Sequence, residues 1–256
     1  DYRQMLYVAD PSLGKLVRYK LQASGDTLQV GKMETVASGV EVRAVAVDGL
    51  GNVWFTDEPN QRIMRVTAQM IQEGRTTPQT VYDGSALKEV SSPGGIAVDN
   101  FFVYWLNKAG GQGSGTLVRA LQHPAVDLGG NVTSLVAHAP GVHKLADNAD
   151  KCYGICLALG NAYFSDEFKS LYGVSRAAVA RSEEVAITGS FTEPRGCAYD
   201  GDSTVYVADK TENAIYGFAA NMERLMPGRE MVKAAELQGA FGVTVFTDLG
   251  GAAKAA

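Results

Sequence analysis

One phrase recurs along this chain, and a recurring phrase limits the fold more than any single motif. It reads Ala44-Val45-Ala46-Val47-Asp48, then Asn52-Val53-Trp54-Phe55-Thr56-Asp57, then Arg62-Ile63-Met64-Arg65-Val66. It returns as Gly95-Ile96-Ala97-Val98-Asp99 with Val103-Tyr104-Trp105-Leu106-Asn107, as Gly154-Ile155-Cys156-Leu157 with Ala162-Tyr163-Phe164-Ser165-Asp166, and as Gly196-Cys197-Ala198-Tyr199-Asp200 with Val205-Tyr206-Val207-Ala208-Asp209. Short strand-like runs repeating every 40 to 60 residues or so predict an array of small sheets, a β-propeller before any other. Residues common to every repeat then serve the repeat, and function is sought where the repeats differ.

The small residue that opens each inner strand is Ala44, Gly95, Gly154, Gly196 and, in the last run, Gly242. The polar residue that closes each second strand is Asp10, Asp57, Asn107, Asp166 and Asp209. Asp10 has no inner strand before it and Gly242 has no second strand after it. Each chain end supplies what the other lacks, so the C-terminal strand is expected to join the N-terminal blade and close the ring. The expectation is an all-β, single-domain propeller over 1–256 with five four-stranded blades, six being the alternative. Third strands are predicted at 15–20, 62–67, 116–121, 171–175 and 214–218, and outer strands near 34–37, 79–82, 132–137, 184–188 and 230–233. A helical turn is expected at 221–226.

A chain that is 46% hydrophobic and 20% charged can bury a large core. Its net charge of -5 argues against a nucleic-acid footprint, which needs clustered Lys and Arg. No run approaches the roughly 18 apolar residues of a membrane span, so no span and a soluble chain are expected. The first residue is Asp1 rather than Met, which suggests a processed mature protein or a trimmed piece of a longer one, and Asn131-Val132-Thr133 fits a glycosylation acceptor. Together they lean towards a secreted or organelle-lumenal setting. Cys152 and Cys156 lie about 13 Å apart on one strand, beyond the roughly 7 Å limit for a disulfide, and three cysteines leave at least one unpaired. All three are read first as buried small residues.

The phrase resembles the NHL repeat, whose unit runs approximately Pro-x-Gly-Ile-Ala-Val-Asp, Gly-x-Ile-Tyr-Val-Ala-Asp and x-x-Asn-x-x-Ile. Ser92-Pro93-Gly94-Gly95-Ile96-Ala97-Val98-Asp99, Val205-Tyr206-Val207-Ala208-Asp209 with Asn213-Ala214-Ile215, and Asp57-Glu58-Pro59-Asn60-Gln61-Arg62-Ile63 carry the resemblance. YWTD and senescence-marker-like propellers are its relatives. The resemblance implies architecture along the whole chain and little about chemistry, because this fold hosts binding modules and enzymes alike.

The closing Asp and Asn residues are expected to accept hydrogen bonds from turn amides, and the second-strand aromatics to pack between blades. More informative are the positions flanking them on one rim of the propeller. Those before the opening residues are Arg43, Gly94, Tyr153, Arg195 and Phe241; those after the closing residues are Pro11, Glu58, Lys108, Glu167 and Lys210. Arginine, tyrosine and mixed charge suit polar recognition of a partner. The linker 138–151, with His143 and Lys144, is expected to cross this rim as a partner-contacting loop. Gly110 to Gly115 reads as a hairpin, since it lacks the Lys and helix of a phosphate loop.

Among enzymes, the strongest rival is a calcium-dependent lactonase or senescence-marker-like hydrolase. It would draw ligands from Glu58, Asn107, Glu167 and Asp209, but Arg43 and Arg195 beside them would repel a dication. A lyase would need histidines on the repeats, and His123, His138 and His143 fall outside them. No nucleophile elbow occurs. The expected function is therefore non-catalytic: a binding or scaffold propeller acting through protein contacts, open to service as a subunit of a larger assembly. The expected contact residues are Arg43, Glu58, Lys108, His143, Lys144, Tyr153, Glu167, Arg195, Lys210 and Phe241. No cofactor is expected, with calcium as the alternative.

Overall fold

A computed structural model describes residues 3–108, 114–124, 141–178, 182 and 184–247. They form five antiparallel sheets that follow one another as the blades of a ring. Blade 1 holds β1 (Met5–Asp10), β2 (Lys15–Ser24) and β3 (Thr27–Ser38). Blade 2 holds β4 (Val42–Val47), β5 (Val53–Asp57), β6 (Arg62–Val66) and β7 (Gln79–Asp83), with the short helix α1 (Ala68–Gln72) between its last two strands. Blade 3 holds β8 (Pro93–Val98), β9 (Phe102–Asn107), β10 (Gly115–Leu121) and β11 (His143–Ala149). Blade 4 holds β12 (Cys152–Ala158), β13 (Asn161–Asp166), β14 (Leu171–Ser175) and β15 (Val185–Thr188). Blade 5 holds β16 (Pro194–Tyr199), β17 (Thr204–Asp209), β18 (Ala214–Ala219) and β19 (Val232–Glu236).

The apolar clusters fall at the seams between blades, which is where a propeller must bury its sheet faces. Leu16 and Val36 of blade 1 pack with Phe55 and Met64 of blade 2. Trp54 and Tyr82 of blade 2 meet Trp105 and Val118 of blade 3, with the Tyr82 and Trp105 rings 5.3 Å apart. Leu106 and Leu117 of blade 3 meet Phe164 and Ile155 of blade 4, and Tyr163 of blade 4 meets Phe218 of blade 5. The last cluster joins Ala208 and Ile215 of blade 5 to Ala240, with Val243 packed against it. The C-terminal run thus lies against blade 5, where a further inner strand belongs.

Inner strands approach one another too closely for side chains. A Cβ added at Gly95 would overlap the Tyr153 carbonyl, and one at Gly154 would overlap the Arg195 carbonyl and Gly196. At Gly196 the same Cβ would sit 3.0 Å from the Phe241 carbonyl, whose oxygen accepts a 2.8 Å hydrogen bond from the Gly196 N–H. Gly242 therefore takes the opening position of the next inner strand, as its place in the repeat requires. The expected ladder between this run and β1 is not formed within the described residues: blade 1 has three strands there, and 240–247 carries no strand. Hydroxyls bridge the same seams. Thr56 donates to the Gly94 carbonyl at 2.7 Å, and Ser165 donates to the Arg195 carbonyl at 2.7 Å while accepting from the Gly154 N–H at 3.0 Å.

Within each blade a second-strand aromatic faces one residue of the third strand. That residue is Arg in the first three blades, opposite Tyr7, Trp54 and Tyr104, and Gly in the last two, opposite Tyr163 and Tyr206. The Arg65 guanidinium lies 5.1 Å from the Trp54 ring centre, a cation–π contact; the glycines leave room for the ring itself.

All three cysteines are buried and Cys152 is free, as expected; Cys156 and Cys197, whose pairing the sequence left open, form a disulfide, because β12 and β16 are neighbouring inner strands that bring their Cα atoms to 5.5 Å. Two expectations are corrected. The outer strand of blade 3 is β11, whereas 132–137 and His138 lie outside the described residues, as do Gly110 to Gly113 and Asn131. Residues 221–226 are irregular, with a bend at 223–224, rather than a helical turn, and the helix instead is α1, capped by the Thr67 hydroxyl.

The glycine contacts make a sharp prediction. Gly154→Ala should cost on the order of 1–3 kcal/mol or more, from overpacking against fixed backbone. Gly49→Ala, with nothing near its Cβ, should stay within about 0.5 kcal/mol. Urea denaturation of both variants decides, and equal effects would contradict the seam geometry.

Candidate functional site

The inner strands begin, and the second strands end, at the same end of the ring: Val42 pairs with Asp57, Pro93 with Asn107, Cys152 with Asp166 and Pro194 with Asp209. The closing residues are structural. Asp166 Oδ1 accepts from the N–H groups of Phe168 and Ser170, both at 2.9 Å. Asp209 accepts from the amides of Thr192 at 2.7 Å and of Glu193, Thr211 and Glu212 at 3.1–3.2 Å. Asn107 accepts from the Ser91 N–H at 3.0 Å and donates to the Glu89 carbonyl and the Thr116 hydroxyl. These groups fix the turns from which the rim side chains project.

On that scaffold Arg43, Glu58, Lys108, Tyr153, Arg195 and Phe241 meet in one chain of contacts across blades 2 to 5. Arg43 Nε lies 2.8 Å and Lys108 Nζ 2.6 Å from Glu58 Oε2, so one carboxylate clamps two cations. Lys108 Nζ stands 5.5 Å from the Tyr153 ring centre, and on the ring's other contact the Arg195 guanidinium stands 4.0 Å away. Arg195 also lies 6.0 Å from the Phe241 ring. The space at Gly94 is tight, since its Cβ would lie 3.0 Å from the Cys152 carbonyl oxygen and 3.1 Å from the Lys108 stem.

Glu193 repeats the clamp on the other side. It pairs with Arg195, takes Lys210 Nζ at 3.5 Å and accepts the Thr211 hydroxyl at 2.7 Å. Glu167 pairs with Lys151 at 3.3 Å, and Glu41 pairs with Arg43. Arg195 is buried, which makes its pairing with Glu193 and its two ring contacts a desolvated centre of the rim. Burial, reinforced by Glu167, raises the Tyr153 hydroxyl above its ordinary pKa. The Thr211 hydrogen bond, with Arg195 and Lys210, holds Glu193 below the usual carboxylate value.

His143 and Lys144 do not join this rim. They lie on β11, the outer strand of blade 3, where Lys144 Nζ pairs with Asp147 at 2.9 Å. Glu193, Glu41 and Lys151 were missed by sequence reasoning, since each sits one or two residues away from the flanking positions. A further cavity of about 390 Å³ lies on blade 5 between Phe191, Tyr216, Glu212 and Arg229.

The carboxylates suggested for calcium do not fit that ion. Glu58 is held by Arg43 and Lys108, Glu167 by Lys151, and Asp209 by backbone amides. Among the described residues no group of three or more His, Cys, Asp or Glu side chains is placed to share a metal. The described histidines lie off the rim, His123 beside Arg65 and His143 on β11.

No family model matches the chain, and no curated protein matches its sequence. Solved structures do resemble it. The luciferin-regenerating enzyme is 13% identical, with a TM-score of 0.57, covering 94% of this chain and 76% of that one. Virginiamycin B lyase from Staphylococcus aureus is 13% identical with a TM-score of 0.54 (91% and 67% covered), and a protein of unknown function from Bacteroides caccae is 12% identical with a TM-score of 0.53 (91% and 73%). At such identities the likeness shows the fold alone.

A pH prediction follows from Glu193. Its folded pKa is depressed below the ordinary 4.5, so it contributes stability above that pH, which is lost as pH falls through the folded value. Glu193→Gln should therefore flatten the decline in unfolding free energy below about pH 4.5. An unchanged acid limb in denaturant titrations would contradict the clamp.

Proposed function

We propose that the chain is a non-catalytic recognition propeller whose ionic and aromatic rim binds a protein partner, in the manner of an NHL-like scaffold. The observation that carries this reading is the continuous rim network: side chains from four successive blades converge on Tyr153 and the buried Arg195. A buried arginine stacked on tyrosine, with a ring of mixed charge around it, is the composition of an interface centre and its rim. Every carboxylate of the network is neutralised by a cation, which leaves neither a free general base nor an open metal position there. Service as one subunit of a larger assembly belongs to the same reading. The disulfide Cys156–Cys197 supports a secreted or lumenal location, where such bonds persist.

The calcium-dependent hydrolase is the rival, and it draws only on a fold that two named enzymes share. Arg43→Glu and Arg195→Gln should each lower retention of a partner from native extract at least tenfold without changing the circular dichroism spectrum. Calorimetry with calcium should show no binding. Stoichiometric calcium binding that is lost in Glu58→Gln would replace the recognition reading with the hydrolase.

A further inference from the structure

The cavity of about 390 Å³ on blade 5 has no part in the rim network, and all of its lining residues are described. Phe191, from the linker that leaves blade 4, forms its apolar back with Tyr216 and Met231, packed on the cluster between blades 4 and 5. The Phe191 and Tyr216 rings meet edge to face, 5.7 Å apart. Arg229 and Glu230 come from the loop before β19, and Glu212 from the turn between β17 and β18. Hydrogen bonds tie these segments to the blades. The Arg229 N–H donates to the Ile187 carbonyl of β15 at 3.0 Å, and the Phe191 N–H to the Lys169 carbonyl at 3.3 Å. The Thr192 N–H donates to Asp209 Oδ2 at 2.7 Å, and the Thr192 hydroxyl to Glu212 Oε1 at 2.8 Å. The walls are therefore built before any ligand arrives, and the volume falls within the range of about 300–1,000 Å³ that small-molecule sites occupy.

The charged groups of this cavity are not used up by the protein. Arg229 is half-buried, and among the described residues no carboxylate pairs with it. Glu230 pairs with no cation among them, and Glu212 commits only Oε1, to the Thr192 hydroxyl. The nearby cations are engaged elsewhere: Lys233 of β19 pairs with Glu236 at 3.1 Å, and Lys210 with Glu193 at 3.5 Å. The remaining lining carboxylate, Asp209, is held by the amides of Thr192, Glu193, Thr211 and Glu212. Three carboxylates against one guanidinium make the lining net negative, which disfavours an acidic ligand. The complement of the uncommitted groups is a molecule with one carboxylate and two cationic groups. Arg229 would take the carboxylate through its paired N–H donors, as arginine does elsewhere. Glu212 and Glu230 would each take a cation, and the Phe191 and Tyr216 rings suit the stem and head of a long basic side chain. A free basic α-amino acid carries that set of charges.

We propose that this cavity binds a free basic α-amino acid, its α-carboxylate on Arg229 and its α-ammonium and side-chain cation on Glu212 and Glu230. The test is calorimetric titration of the full chain with L-arginine at constant ionic strength. L-Arginine should bind saturably, at one site per chain. Arg229→Gln should weaken it about tenfold or more, the effect of losing a charge-assisted hydrogen bond. Glu212→Gln and the exposed Glu230→Gln should each weaken it about two- to fivefold, as exposed ion pairs do. L-Norleucine, which lacks the side-chain cation, should bind more weakly than L-arginine, and L-glutamate should not bind. N-acetyl-L-arginine, which lacks the α-ammonium, should also bind more weakly; equal binding would overturn the proposal and assign the cavity to the C-terminal residue of a peptide. No saturable heat with L-arginine up to about 10 mM would overturn it as well. So would wild-type affinity in both Arg229→Gln and Glu230→Gln, or L-glutamate or L-norleucine binding as tightly as L-arginine.

Discussion

Everything in this molecule depends on how closely its inner strands approach one another. Where a carbonyl of one blade occupies the space of a Cβ on the preceding blade, as at Gly95 and Gly154, only glycine fits, and at Gly196 the space is tight. That approach brings the larger apolar side chains of neighbouring sheets into one cluster per seam. It also brings Cys156 within disulfide distance of Cys197, and it carries Tyr153 and Arg195, which flank Gly154 and Gly196, into a stack. The ionic rim is thus a by-product of the seam: Tyr153 and Arg195, which precede Gly154 and Gly196, are set next to each other by the approach of β12 and β16.

The acids at the two ends of the ring are engaged differently. At one end the acids meet cations across blades, as Glu58 does with Arg43 and Lys108. At the other the acids are spent on their own turns, and the apexes they leave are filled by Leu50 and Phe101.

Much of the blade plan was legible because it is local. The closing Asp and Asn residues act on amides a few positions away, or on the loop just before their own blade, so their repetition in the sequence reports a repeated turn. The flanking positions Arg43, Glu58, Lys108, Tyr153 and Arg195 were legible because the repeat fixes where each side chain leaves the sheet. What escaped depends on pairing across blades or on edges. The Cys156–Cys197 bond links strands 41 residues apart, and spacing along one strand says nothing of it. β11 reads His-Lys-Leu-Ala-Asp-Asn-Ala, with little apolar alternation, and pairs with β10 through register shifts around Leu117, so it looked like a loop. Glu193 acts on Arg195 from within its own blade, yet its role appears only once Lys210 and Thr211 are seen to converge on it.

The central claim is that partner recognition belongs to the rim centred on Tyr153 and Arg195, and it is tested most directly by site-specific photo-cross-linking. A benzophenone side chain placed at the exposed Phe241 position, beside that centre, should give a discrete protein adduct in native extract. The same group at Lys144, on the outer strand of blade 3, should give none. Adducts from Lys144 and not from Phe241 would contradict the account.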